Sequence, residues 1–134
     1  MSLELVGLAS DDLLRSSILL VEDEPLLSMD VEMTLTSAGY RVVGPAATAD
    51  DALRLIRDEK LDLAVVDLNL DHKVGFSVPD SLADQQIPFI ILSGHSHRMV
   101  PERHKKRPYL QKPCVAAHLL RTIRETLNGI KGPT

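Results

Sequence analysis

LDLAVVDLNLDHK, residues 61–73, is the stretch that decides the fold. An apolar run, Leu63 to Val66, ends abruptly at Asp67, and a polar loop follows. Four aliphatic residues with no polar alternation fit a strand covered on both faces, as in a parallel sheet sandwiched between helices. Such a strand delivers the next side chain to the carboxyl edge of the sheet, where open α/β sheets bind ligands. Asp67 is thereby placed for chemistry.

The same alternation runs outward in both directions. "ILLV" (18–21) is a short apolar run closed by "EDEP". Pro25 suits the first turn of a helix, where its missing N–H costs nothing. Leu27, Val31, Leu35 and Ala38 then recur at helical spacing up to a stop at Gly39. "YRVVG" (40–44) reads as the second strand. Thr48 with Asp51 forms a capping-box signature, and Ala49, Ala52, Leu53 and Ile56 supply one apolar helical face. After Asp67 come a loop and a weak helix near 77–85, then "IPFIILS" (87–93) and "PYLQK" (108–112) as strands four and five. The last helix starts near Pro113, turns Val115, Leu119, Leu120, Ile123 and Leu127 inward, and stops at Asn128-Gly129. Between strands four and five, "GHSHRMVPERHKKR" (94–107) lacks an apolar stripe, so a helix there is short or marginal.

Five β-α units predict one α/β domain: a five-stranded parallel sheet, order 2-1-3-4-5, with helices on both faces. The domain spans 17–129. Residues 1–16 (MSLELVGLASDDLLRS) fall outside the rhythm, as an extension that is either a short helix or a disordered lead, and 130–134 form a tail.

A length of 134 residues suits a single core. Aromatics are only 3% and Trp is absent, so that core must rest on Leu, Ile, Val and Ala. A net charge of −4 gives no general electrostatic reason to bind nucleic acid. No apolar stretch approaches a membrane span, and the N-terminus lacks the pattern of a signal peptide. The single cysteine, Cys114, excludes an internal disulfide and suits a reducing cytoplasm.

The polar residues fall at the strand ends. Glu22 and Asp23 end strand one, Asp67 strand three, Ser93 strand four and Lys112 strand five. In the order 2-1-3-4-5, strands one and three are neighbours, so the three acids share one crevice with Ser93 and Lys112 on its rim. Three carboxylates in one crevice repel each other unless something positive sits among them. Lys112 neutralises one charge, and a hard divalent cation such as Mg²⁺ would neutralise more. A cation, a lysine and a hydroxyl around one carboxylate make a phosphoryl-transfer site with the carboxylate as nucleophile. Each residue alone has a plainer reading, as a turn, a helix cap or a solvated lysine. Their coincidence at four strand ends carries the assignment.

In these residues the chain resembles the receiver domain of response regulators, the phosphoacceptor module of bacterial two-component signalling, which has a flavodoxin-like fold. "ILLVEDE" resembles the family's acidic-pair strand, and "VVDLNL" its phosphoacceptor strand. The resemblance implies Asp67 as phosphoacceptor, with Glu22, Asp23, Asp67 and the Asn69 backbone carbonyl around Mg²⁺ (or Mn²⁺). "YLQKP" resembles the lysine strand, which implies Lys112 as the phosphate-pairing cation, Tyr109 as an aromatic rotor and a cis Lys112–Pro113 bond. Ser93 matches the phosphate-contacting hydroxyl, and Gly75 a usual glycine. "PFIILSGH" (88–95) is similar to the P-F-x-F-A-T-G-Y motif of the FATGUY receivers, with Ser93 for Thr and His95 for Tyr. Asn69 and His95, each two residues beyond a site residue, flank the entry for hydrolytic water and so bear on phosphoryl lifetime.

The resemblance implies a cytoplasmic acceptor with only self-phosphorylation and self-dephosphorylation chemistry, not a turnover enzyme. Its partners would be a sensor histidine kinase of the HWE or related type and a downstream protein or phosphotransfer partner, and the switching face can pair two copies. No DNA-binding domain or membrane partner is implied. The main rival is a phosphate-independent receiver acting as a binding module. A haloacid dehalogenase-type phosphatase is disfavoured because Asn69 stands where its second acid would be. A nucleotide- or flavin-binding domain lacks the glycine-rich turn after strand one. The basic residues Arg98, Arg103, Lys105, Lys106 and Arg107 read as a solvated face before a partner dock or nucleic-acid contact. His95, His97 and His104 lack zinc-site spacing, and Cys114 reads as a packed thiol.

Overall fold

A computed structural model describes residues 15–70, 73–94 and 96–131. The expectations for 1–14 of the extension, for His95 and for 132–134 of the tail lie outside the described residues.

In chain order the elements are β1 (Ser17–Val21), α1 (Pro25–Ser37), β2 (Arg41–Ala46), α2 (Ala49–Asp58) and β3 (Leu63–Val66). A hairpin of β4 (Asn69–Leu70) and β5 (Lys73–Val74) follows, then α3 (Ser77–Asp84), β6 (Phe89–Ser93), β7 (Tyr109–Gln111) and α4 (Ala116–Lys131). The main sheet runs β2-β1-β3-β6-β7, all parallel. With the hairpin set aside, this is the expected order 2-1-3-4-5.

β1, β3 and β6 are buried at every position, because helices cover both faces of the sheet. Leu19, Val21, Ala64, Val66, Phe89 and Ile91 pack with Ala52 and Ile56 of α2 and with Val78 and Leu82 of α3. The alternate residues Ile18, Leu20, Leu63, Val65, Ile90 and Leu92 pack with Val31 and Leu35 of α1 and with Leu119, Ile123 and Leu127 of α4. Consecutive side chains therefore serve two cores, and each strand is fixed in register from both sides.

Thr48 caps α2, its Oγ1 accepting the Asp51 amide at 3.1 Å. Thr48→Ala is expected to lower the unfolding free energy by about 1 kcal/mol, read by urea denaturation.

Three expectations are corrected. The loop after Asp67 contains an antiparallel hairpin; strands of two residues are too short to show any periodicity. α4 begins at Ala116, so Val115 precedes the helix and has no place on its inward stripe; it is 70% exposed. The helix also continues past Asn128-Gly129 to Lys131, since glycine inside a helix costs only about 1 kcal/mol and buried Leu127 anchors that turn. Between β6 and β7 the described residues form two 3₁₀ turns, His97–Met99 and Glu102–His104, in keeping with the missing apolar stripe. Lys112–Pro113 is cis, as the resemblance implied, and so is Gly44–Pro45.

Candidate functional site: an acidic crevice bridged by a lysine

The pairing of β1 with β3 sets Val21 beside Val66, so the next residues, Glu22 and Asp67, leave the sheet side by side. Backbone hydrogen bonds continue past the strand ends: Glu22 N–H donates to Ala46 O (2.9 Å), Asp67 N–H to Val21 O (3.0 Å) and Lys112 N–H to Ser93 O (2.9 Å). The functional side chains thus stand on ordered backbone, not on free loop.

Lys112 Nζ lies 2.8 Å from Glu22 Oε1 and 2.9 Å from Asp67 Oδ2. Both carboxylates are buried, Glu22 at 3% and Asp67 at 4% exposure, so the ammonium offsets repulsion that water cannot screen. Asp67 Oδ1 accepts the Asn69 amide at 3.0 Å, and Glu22 Oε2 accepts the Glu24 amide at 3.1 Å. Burial still pushes the Glu22 carboxyl up from its ordinary value, and Lys112 only partly opposes it. Burial acts to lower Lys112, but its bonds to Glu22 and Asp67 outweigh that and hold it above its ordinary value, so it stays charged.

Carboxylate oxygens of Glu22, Asp23 and Asp67 all lie within 4.8 Å of one another. Trans ligands of octahedral Mg²⁺ stand roughly 4.2 Å apart, so small adjustments would bring this oxygen set onto one ion. Hard carboxylate donors with open space beside them suit Mg²⁺ or Mn²⁺.

Ser93 is fully buried at the end of β6. Tyr109, at the start of β7, is half-buried, and burial pushes its phenol up. Its hydroxyl is enclosed without a well-formed hydrogen bond, and Ser93 lies close enough to oppose part of that shift. The structure thus brings Glu22, Asp23, Asp67, Asn69, Ser93 and Lys112 to the carboxyl edge of the sheet, with Tyr109 two residues back, at the start of β7. Beside Asp67 opens a cavity of about 360 Å³, lined by Thr48, Ala49, Leu68, Leu70 and Val78 among others. It lies between the start of α2 and the residues that follow β3, and no motif in the sequence signals it.

The basic stretch is not simply a solvated face. Arg103 grips Asp80 of α3 through Nε (2.7 Å) and Nη2 (3.0 Å), and Arg107 lies over the Phe89 ring at 4.4 Å. His104 points its Nε2 at Asp80 Oδ1 (2.6 Å), whereas His97 stacks edge-on against Tyr109. Only spatial pairing reveals these roles, since Asp80 and Arg103 are 23 residues apart. The hydrogen-bonded Arg103 guanidinium holds the Asp80 carboxyl at about 2, below its usual 3.8. That contribution to stability is complete above pH 3.8 and lost as pH falls through about 2. Asp80→Asn is expected to flatten this acid limb in pH-dependent thermal unfolding. The change is modest, because the Asp80 side chain is 41% exposed and water screens the pair. Cys114 is half-buried, and burial raises its thiol pKa, which disfavours the reactive thiolate.

With this geometry, the comparison with known proteins is decisive for the class. Residues 18–124 match the response regulator receiver domain, and the chain belongs to that family, a signalling module of two-component systems. It is 31% identical over 110 residues to the transcriptional regulatory protein PdtaR of Mycobacterium tuberculosis, covering 79% of this chain and 54% of that protein. The solution structure of SdrG from Sphingomonas melonis Fr1 superposes with a TM-score of 0.74 at 34% identity, covering 85% of this chain and 98% of that one. The receiver domain of the Pseudomonas aeruginosa PAO1 sensor histidine kinase PA1611, a structure with a magnesium ion coordinated in its active-site cleft, gives a TM-score of 0.72 at 27% identity. It covers 85% of this chain and 98% of that domain. The chain spans about half the length of the curated relatives it matches first. Among the described residues, no helix is long and apolar enough to cross a membrane.

Proposed function

We propose that Asp67 accepts a phosphoryl group from a phosphohistidine on a sensor histidine kinase, and that the phosphorylated state is read by a protein partner. The observation that carries this reading is the buried Asp67 carboxylate, hydrogen-bonded to Lys112 and close enough to the carboxylates of Glu22 and Asp23 for the three to share one cation. An Asp67 oxygen attacks phosphorus, the P–N bond breaks, and the departing imidazole takes up a proton, leaving an acyl phosphate. Lys112 meets the charge on the transferred group, and the Ser93 hydroxyl donates to one of its oxygens. Asp23, Asp67 and the Asn69 carbonyl would hold Mg²⁺, with Glu22 acting through a water. When bound, the ion supplies charge neutralisation on the phosphoryl oxygens. Later hydrolysis returns Asp67 and inorganic phosphate; Asn69 and His95 are the residues proposed to tune its rate.

The test is intact mass with Mg²⁺ and acetyl phosphate, beside a Mg²⁺-free control and Asp67→Asn. A Mg²⁺-dependent gain of one phosphoryl group, absent from the variant, is expected. If no adduct forms and beryllofluoride leaves the protein's spectrum unchanged, the phosphate-independent binding module replaces this reading.

α1 offers a dock for the donor. Leu26, Met29 and Met33 are exposed at i, i+3 and i+7 on one side of the helix, opposite buried Val31 and Leu35. Clefts on either flank connect Met29 to Glu22 and Asp23, and Met33 to Ala116 and Leu120 of α4. A helical donor packed on this stripe would hold its phosphohistidine near Asp67. Met29→Glu with Met33→Glu is expected to slow transfer from the kinase at least roughly tenfold while leaving acetyl phosphate labelling intact. Parallel assays with the two donors distinguish this from damage to the site.

A further inference from the structure

The cleft between Met29 and the Glu22–Asp23 pair has a volume of about 350 Å³. Glu22, Asp23, Ser28 and Glu32 supply its polar lining, and Pro25, Met29, Pro45 and Ala47 its apolar walls. No lysine, arginine or histidine lines it, and α1 (PLLSMDVEMTLTS) carries none. Glu22 is already held by Lys112 at Oε1 and by the Glu24 amide at Oε2. Glu32, half-buried one turn beyond Ser28, has no ion pair among the described residues. Ser28 is the sharper signal. It is 6% exposed, and its Oγ is enclosed with no hydrogen-bond partner among the described residues. A helical serine often returns its hydroxyl to the carbonyl four residues back, but here Glu24 O takes only the Ser28 amide, at 2.8 Å. An orphan hydroxyl in the lining of a ligand-sized acidic cleft is a group left open for a guest.

The lining selects the guest. Three acids with no basic residue among them attract a cation and repel an anion. A compact metal ion fits poorly. Among the described residues, Glu22, Asp23 and Asp67 are the acids whose oxygens gather within 4.8 Å of one another, and Glu32 is outside that set. Mg²⁺ also keeps much of its water shell, to which Pro25, Met29, Pro45 and Ala47 side chains offer no hydrogen bond. We propose that this cleft binds an organic cation, an ammonium or guanidinium group carried on an aliphatic stem. The head donates to Ser28 Oγ and pairs with Glu32, and the stem lies along Met29 and Pro45. The unbranched side chains of Met29 and Glu32 can turn aside to admit the head. The cation is either a free amine or a basic side chain of a protein docked on the Leu26–Met29–Met33 stripe, with which Met29 makes the cleft continuous. From either source its charge falls beside Glu22 and Asp23, so it opposes Mg²⁺ in the adjoining crevice.

The full chain in EDTA is titrated with n-butylammonium at constant ionic strength and followed by ¹H–¹⁵N spectra. Saturable shifts at Ser28, Met29 and Glu32 are expected, and n-butanol, a neutral chain of the same length, should give none there. Ser28→Ala and Glu32→Gln should each weaken binding roughly tenfold, the scale of one lost charge-assisted hydrogen bond. Ser28→Ala deletes a hydroxyl that bonds nothing, so its fold is kept, as urea unfolding checks. Saturating butylammonium should raise the Kd for Mg²⁺ roughly fivefold, and Mg²⁺ should raise the Kd for the amine by the same factor. Shifts that fail to saturate, or that n-butanol matches, would overturn the proposal. So would Mg²⁺ that reproduces the shifts at Ser28 and Glu32 and displaces the amine outright, which would make the cleft a metal site. With binding in hand, transfer from the kinase separates the two sources. Slower transfer to Glu32→Gln, with acetyl phosphate labelling unchanged, assigns the head group to the donor's own side chain; an unchanged rate assigns it to a free amine. The titration involves no phosphoryl group, so its outcome leaves the phosphoacceptor reading untouched.

Discussion

Without divalent cations, Lys112→Met is expected to lower the unfolding free energy by about 2–4 kcal/mol at neutral pH, and Mg²⁺ is expected to return a large part of the loss. Removing one partner of a buried ion pair costs about 3–5 kcal/mol, because the remaining charge stays desolvated. Here one ammonium serves two carboxylates, both almost wholly enclosed, so its loss leaves Glu22 facing Asp67 with no cation between them. Two effects hold the figure below the upper limit. The Lys112 side chain is 18% exposed, so water already shares in its solvation, and Glu22 can relieve the repulsion by taking a proton. Its carboxyl is already raised by burial from 4.5. The folded protein therefore binds that proton more tightly than the unfolded chain does. The resulting stability is complete below pH 4.5 and is lost as pH rises through the folded value. Lys112→Met should extend that loss to higher pH.

A divalent cation held by the folded crevice and not by the unfolded chain would stabilise in proportion to the logarithm of its concentration over Kd. The variant's crevice is one charge more negative, and its gain from Mg²⁺ should exceed that of the native protein. Urea unfolding with EDTA and with Mg²⁺, each at two pH values, measures both effects. Equal stabilities of variant and native protein in EDTA would mean that the lysine bridge contributes nothing.

Much of this was legible in the sequence, for a specific reason. β1, β3 and β6 are buried throughout because they lie between two helical layers, and the site residues fall at their carboxyl ends: Glu22 and Asp67 just after β1 and β3, Ser93 last in β6. Glu22, Asp67 and Lys112 could be placed together from strand order alone, as could Ser93 at the end of β6. What escaped was set by tertiary pairing. The β4–β5 hairpin is too short for a period, and the cavity beside Asp67, lined in part by Leu70, follows from tertiary placement. The basic residues 98–107 carry no pattern of their own; Arg103 and His104 acquire a role only when α3 brings Asp80 against them. Val115 was misplaced because the helical spacing it shares with Leu119 says nothing about which residue begins the helix.

Two glycines, Gly75 and Gly44, separate what a motif suggests from what the backbone needs. Gly75 is at a position where receivers usually carry glycine, yet a Cβ there would meet nothing within 4 Å and its φ is not in the left-handed region. Gly75→Ala is therefore expected to change stability by less than about 0.5 kcal/mol. Gly44 looked like the end of the second strand, but β2 continues beyond it to Ala46. Its φ is +95°, and a Cβ would lie 2.8 Å from Ala46 N and 3.0 Å from Leu20 O. Both are backbone atoms of paired strands, so no side-chain rotation can relieve the clash. The left-handed conformation alone costs an alanine about 1–2 kcal/mol. With the displaced backbone added, Gly44→Ala is expected to cost about 2–4 kcal/mol.

The loss should extend to the site. The pairing of β1 and β2 shifts register between Leu19 and Val21, and beyond that shift Ala46 O receives the Glu22 amide. Backbone moved at Gly44 moves that acceptor, and with it the residue that shares Lys112 with Asp67. Weaker Mg²⁺ binding should accompany the lost stability in Gly44→Ala and be absent from Gly75→Ala, both read by metal titration of the folded proteins. A Gly44→Ala protein of reduced stability but native Mg²⁺ affinity would show that Gly44 supports β2 without setting Glu22.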